Sequence, residues 1–135
     1  MTRINVVPVS ELADQHLLAE HREIKRIPSV ISSWKYSLDK QPSEYTMWTG
    51  HVKFFYDKLS FLLERYTQLY QECKKRGFDV TNYIDSFKKD IPSSLFNYYI
   101  PTDEAIQINR NRIQEKLDEK KEKWIQYYRY YWKLI

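Results

Sequence analysis

Glycine is almost absent from this chain: Gly50 and Gly77 are the only two in 135 residues. A phosphate-cradling loop needs several glycines, and an all-β fold needs many turns, so neither fits. Cys73 is the single cysteine. No internal disulfide can form, a reducing cytoplasm is the natural setting, and the residue reads as a small core side chain. No run of about 18 apolar residues exists to span a membrane, and the first residues hold no apolar signal region. The histidines are His16, His21 and His51. His16 and His21, five apart, do not share a helix face, and no cluster has metal-ligand spacing. No metal or cofactor is expected, and no Ser-His-Asp signature stands out.

What the chain does have is aromatic and basic character, unevenly spread. Aromatic residues make up 16%, with twelve tyrosines, and the formal charge is +4. Residues 105–135 carry eight basic and four acidic side chains, which accounts for the whole excess. A basic end rich in flat rings suits a polyanion with flat bases. At 42% hydrophobic and 30% charged, the composition is that of a folded chain with one core, a single domain over 1–135.

The periodicity predicts three main helices and no strand. The first runs from about Ser10 to Ile27 and is interrupted at Pro28, where it either kinks and continues through Trp34 or stops. A loop follows, punctuated by Pro42 and Gly50. The second carries Phe55, Leu59, Leu62, Tyr66, Leu69 and Cys73 at steps of four and three, one apolar stripe. Lys74, Lys75 and Arg76 suit its last turn, and Gly77 ends it. The stretch 79–101 reads as an irregular connection with one short helix near Tyr83 to Phe87. The third helix opens with Thr102 as N-cap and Asp103 and Glu104 in its first turn. Ile106, Ile113, Leu117 and Trp124 line its apolar side, and Arg112, Lys116, Lys120 and Lys123 form a basic stripe. The fold class is all-α.

Two places could carry chemistry. On the first helix, His16, Glu20 and Glu23 share one face, with Arg22 and Arg26 beside it and Gln15 nearby. By spacing alone, a solvated, salt-bridged face is the simpler reading. The other place is the start, "MTRIN". Removal of Met1 would expose the α-amine of Thr2 next to Arg3. A free α-amine has a pKa of about 7.7–8.0 against about 10.4 for lysine, so far more of it is neutral at pH 7. Such an amine can attack C1′ of a damaged nucleoside, expel the base and leave an imine. A carboxylate can then take the C2′ proton, and β-elimination cuts the strand.

"TRIN", "VSELADQHLLAEHRE", "GHVKFFYDKL" and "ECKKRGF", followed by "DIP", "YIP" and "EA", cover most of the chain in order. With these motifs the chain resembles the phage-type endonuclease V family, the pyrimidine-dimer DNA glycosylases and AP lyases. The resemblance implies an all-α fold with the N-terminal segment threaded between helices. It implies Thr2 as nucleophile and Glu23 as catalytic carboxylate. It implies a DNA-facing site with Arg3, Gln15, His16, Arg22, Arg26, Arg112 and Lys116. "YYRYYWK" resembles the family's aromatic-basic tail, and Tyr127, Tyr128 and Arg129 are its contact candidates, whereas Trp124 reads as core. The chain departs from the family in a shorter loop after the first helix, in Lys25 and Pro28, and in an extra turn, "EKKEK".

The expected partner is double-stranded DNA containing pyrimidine dimers or abasic sites. A monomer with no protein partner and no membrane is expected, in the cytoplasm (a host's, if the chain is viral). The alternative is a helical DNA-damage-binding protein without catalysis.

Overall fold

The computed structural model describes residues 3–134, with side chains described for 3–123. Thr2, and the side chains of Trp124, Tyr127, Tyr128 and Arg129, lie outside the described residues. The elements are α1 (Asp14–Glu23), α2 (Arg26–Ser32), α3 (His51–Phe54), α4 (Leu59–Lys75) and α5 (Asp103–Leu134). Single turns of 3₁₀ helix form at Val9–Glu11, Ile84–Phe87 and Ser93–Leu95. No strand occurs among the described residues, so the fold is all-α.

The predicted first helix divides into α1 and α2. Pro28 has no N–H to give to the carbonyl of Ile24, its partner four residues back. The Ile27 N–H bonds that carbonyl instead at 3.3 Å, and Ser29 resumes the α pattern to Lys25 at 3.1 Å. The chain therefore continues past Pro28 to Ser32. Its start falls later than expected, at Asp14, because Val9–Glu11 forms a separate turn.

The apolar stripe of the second predicted helix holds, but Phe55 is not in α4. It follows the short α3 and is fully buried against Phe54 and Phe61. Leu59, Leu62, Tyr66, Leu69 and Cys73 are buried along α4, which packs on α1. Full burial of each leucine contributes about 1.5–3 kcal/mol. Gly77, at φ +85°, ends α4. Its N–H bonds Lys74 O at 3.0 Å and the Phe78 N–H reaches Cys73 O at 2.9 Å, a Schellman closure. The short helix expected near Tyr83 is the turn Ile84–Phe87, packed on α4 and α2.

Thr102 caps α5 as predicted: its Oγ1 accepts the Ala105 N–H at 3.0 Å. The buried side of α5 centres on Ala105 and Asn109, at 3% and 0% exposure, rather than on Ile106 and Ile113, which are only partly buried.

Residues 4–7 are buried and belong to no helix or strand, and hydrogen bonds tie them to α1, α3, α4 and α5. A buried segment outside helix and sheet leaves backbone groups that need partners. Side chains supply them. Asn109 Oδ1 accepts the N–H groups of Val6 and Val7 at 2.7 and 3.1 Å. His51 Nε2 accepts the Ile4 N–H at 2.8 Å, and the Tyr45 hydroxyl donates to Ile4 O at 3.0 Å. Arg65 donates to Val7 O.

Candidate active site

The threaded arm delivers Arg3 into a cleft of about 340 Å³. From α1 the cleft takes His16, Ala19, Glu20 and Glu23; from α5 it takes Arg112, Ile113 and Lys116; Asn5 and Met47 complete it. Side chains predicted from distant parts of the sequence, Arg3, His16, Glu23 and the Arg112–Lys116 pair, thus meet in one place. Their convergence follows from the arm: residues 3–7 lie against both α1 and α5 and carry the two helices' polar faces together.

The two carboxylates of α1 in this cleft have different surroundings. Glu20 is a structural anchor. Arg65 holds it through Nε to Oε2 at 2.8 Å and Nη2 to Oε1 at 3.0 Å, and Asn5 Nδ2 donates to Oε1 at 2.7 Å. Its side chain is 1% exposed. Glu23, one turn on, is 17% exposed, and its contact with Arg26 is loose at 3.8 Å. Glu23 is therefore the more exposed and less tightly paired of the two cleft carboxylates.

Electrostatics favour an anion. Arg3, Arg112 and Lys116 bring three positive charges against Glu23, whereas Glu20 is already matched by Arg65. Burial, with the nearby charge of Arg112, lowers the affinity of Arg3 for its proton. Burial, aided by Lys120, also pulls the His16 imidazole below its usual value, which favours the neutral ring at pH 7. Among the described residues, His16 Nδ1 and Arg112 Nε are buried polar atoms with no hydrogen-bond partner. His21 Nε2, outside the cleft, is a third such atom.

Gln15 and Arg22 of α1 and Arg26 of α2 do not line the cleft. Gln15 is exposed and accepts a bond from Lys120 Nζ at 2.9 Å, tying α1 to α5 at the rim. Arg22 is exposed. Lys116 pairs with Glu119 at 3.7 Å and Arg112 with Glu115 at 3.1 Å, both i,i+3 contacts to exposed carboxylates that an incoming phosphate can displace.

The supports that sequence reasoning missed are Asn5, Tyr45, His51, Arg65 and Asn109. His51 is 2% exposed, and both ring nitrogens are used. Nε2 accepts from Ile4, so the proton sits on Nδ1, which donates to Thr46 O at 2.6 Å. The one signal available was the presence of polar residues at otherwise apolar helix positions, as with Arg65 between Leu62 and Leu69.

A second groove, of about 720 Å³, runs along Val6–Ser10, Phe61 and the 98–101 segment. Its charged residues are Glu64 and Arg65, and Arg65 is committed to Glu20 and Val7. It gathers no comparable set of reactive groups. The convergent cleft lies wholly on the arm, α1, the loop before α3, and α5. A family model for pyrimidine dimer DNA glycosylases matches residues 1–86, which include the arm and α1.

Proposed function

The chain belongs to the pyrimidine dimer DNA glycosylase family, and from that premise we propose that the cleft removes the damaged base and then cuts the strand through an imine on the Thr2 amine. Excision of pyrimidine dimers from DNA is the activity of this family. The observation that carries the assignment to this cleft is the meeting of Arg3 and Glu23 in it. Thr2 directly precedes Arg3 in the sequence, which supports a reading in which its amine acts at this cleft.

The steps balance without a redox partner. The amine nitrogen attacks C1′, and the glycosylic electron pair leaves with the pyrimidine, which takes up a proton. The nitrogen loses one proton, its lone pair then forms the C=N bond as the C1′–O4′ bond breaks, and O4′ takes up a proton, giving the protonated imine of the open sugar. The C2′–H bond is then acidic; a base takes that proton, and the C3′ phosphate leaves as the alkene forms. Glu23 fits two tasks here: its charge stabilises the cationic imine, and it holds and moves protons. Arg3, Arg112 and Lys116 hold the phosphates on either side. Gln15, His16 and Arg22 of α1 and Arg26 of α2 add further DNA contacts in this reading, and the sequence adds Tyr127, Tyr128 and Arg129 as candidates. The chain acts on duplex DNA as a monomer and as one domain.

The test is nicking of a duplex with one site-specific dimer, against the same duplex undamaged. The reading expects cleavage of the damaged strand alone, with a β-elimination end. A damaged duplex that is bound but never excised would favour a damage-binding protein without catalysis.

A further inference from the structure

The loop before α3 presents a side chain that the mechanism above does not use. Tyr45 and Met47 are buried, but Trp48 is 66% exposed. A lone exposed hydrophobic residue needs no explanation by itself. Two observations set Trp48 apart. The first is its neighbour: the Arg112 guanidinium lies over the indole, 5.4 Å from the ring centroid, and Arg112 lines the cleft.

The second is the stiffness of the loop. The Trp48 N–H donates to Thr46 Oγ1 at 3.2 Å, and Trp48 O accepts the His51 N–H at 3.0 Å. Thr46 O is held in turn by His51 Nδ1. Gly50 sits at φ +89°, and a Cβ there would lie 2.5 Å from Pro42 Cγ. No other residue fits that turn without displacing Pro42 or straining the backbone. The indole is therefore carried outward by a braced turn, at the edge of a cationic cleft. Trp48 also walls a groove of about 720 Å³ whose cations are Lys40 and Lys53.

We propose that Trp48 is a stacking residue for damaged DNA: its indole packs against a nucleobase unstacked beside the lesion and holds the distorted duplex at the rim of the cleft. The proposal rests on the glycosylase reading above. An enzyme that must reach C1′ inside a duplex has to break base stacking, and a replacement surface for the exposed base lowers that cost. Aromatic stacking accepts every base, which suits a lesion with varied neighbours. Arg112, above the ring, is placed to meet the adjoining phosphate. No step of bond making depends on Trp48; it positions the substrate.

The experiment compares the full chain with Trp48→Ala, Trp48→Leu and Trp48→Phe on a dimer-containing duplex with 2-aminopurine beside the lesion. Equilibrium affinity, 2-aminopurine fluorescence and single-turnover excision are read, with thermal unfolding as the fold control. Trp48→Ala should weaken binding roughly ten- to hundred-fold, the range of one base–aromatic stack. It should also lower the 2-aminopurine fluorescence change. Trp48→Phe should recover most of both and Trp48→Leu little, because a flat ring is what is required. The slope of log affinity against log salt should not change, since every phosphate keeps its cationic partner. Unchanged affinity and fluorescence in a folded Trp48→Ala would overturn the proposal, as would full recovery by Leu. The readouts separate the two claims. Trp48-dependent binding by a chain that never excises would support the stack and fail the glycosylase reading. Normal excision with Trp48-independent binding would do the reverse.

Discussion

Arg65 on α4 grips Glu20 on α1 through two nitrogens, at 2.8 and 3.0 Å, in a site where the two side chains are 4% and 1% exposed. The same guanidinium holds Val7 O, and Asn5 of the arm bonds the same carboxylate. One buried pair therefore fixes the angle between α1 and α4 and the path of the arm. It also commits the Glu20 carboxylate to structure, whereas Glu23 contacts Arg26 only at 3.8 Å.

Arg65→Met should destabilise the chain strongly, by about 3–5 kcal/mol, because it strands a buried carboxylate. Adding Glu20→Gln to that variant should recover part of the loss, since the stranded charge is gone. Urea unfolding of the single and double variants measures both. Equal stability of wild type and Arg65→Met would show that the pair does not brace the arm.

Glu23→Gln should behave in the opposite way. Stability should stay within about 0.5 kcal/mol, because the side chain is only loosely paired at a partly open position. Base excision should fall by a factor of at least about 10²–10⁴ as acid–base help and imine stabilisation are removed. Cleavage of a ready-made abasic site should fall less, because an open aldehyde forms an imine without expelling a base. Matched assays on dimer and abasic duplexes make the comparison. Near-normal dimer excision would return Glu23 to the role of a salt-bridged surface residue.

Much of this organisation was legible in the sequence, and the part that was not has a common cause. The α4 stripe and the Thr102 cap depend on residues within a few positions of each other, so local spacing displays them. The break before Pro28 is local too, yet whether a helix resumes after it depends on burial of Ile27 and Ile31, which spacing does not reveal. Glu20 and Glu23 look alike on a helix face. What distinguishes them is Arg65, 45 positions from Glu20. Asn109 meets Asn5 across 104 positions, and His51 meets Ile4 across 47. These are one-to-one polar matches that no periodicity announces. Thr2 and Glu23 are proposed from motifs that resemble a family, and the stripe that holds Arg112 and Lys116 is visible in helical spacing, but the meeting of Glu23, Arg112 and Lys116 in one cleft is not.

His51 gives the fold an acid-sensitive clamp. Its burial lowers the proton affinity of the imidazole below the ordinary value of 6.5, and a proton on Nε2 would break the bond to Ile4. Its contribution is fully present above that value, where both states are neutral. As pH falls, the unfolded chain gains a proton first, and stability declines until the folded form also protonates. The slope is at most about 1.4 kcal/mol per pH unit for one group. Burial lowers His16 and His21 in the same direction. Unfolding free energies at pH 7, 6 and 5 should therefore fall, and His51→Gln should fall less steeply from a lower start. Parallel curves for the two proteins would exclude the clamp.

The basic residues of α5 should show themselves in salt dependence. Arg112 and Lys116 both line the cleft. Replacing both by Ala should flatten the slope of log affinity against log salt by about 0.9 for each phosphate left without its cation. Replacing Lys74 and Lys75, in the last turn of α4, should leave the slope alone. Equal changes in the two double variants would mean that the cleft is not where DNA lies.

The proposed chemistry turns on one atom, the nitrogen of Thr2. The most direct measurement is borohydride reduction during turnover on a dimer-containing duplex, followed by proteolysis and mass spectrometry of the cross-linked peptide. The account predicts a reduced adduct on the α-amine of Thr2, formed only on damaged or abasic DNA and abolished when Met1 is retained. An adduct on a lysine, or full activity with Met1 in place, would contradict it.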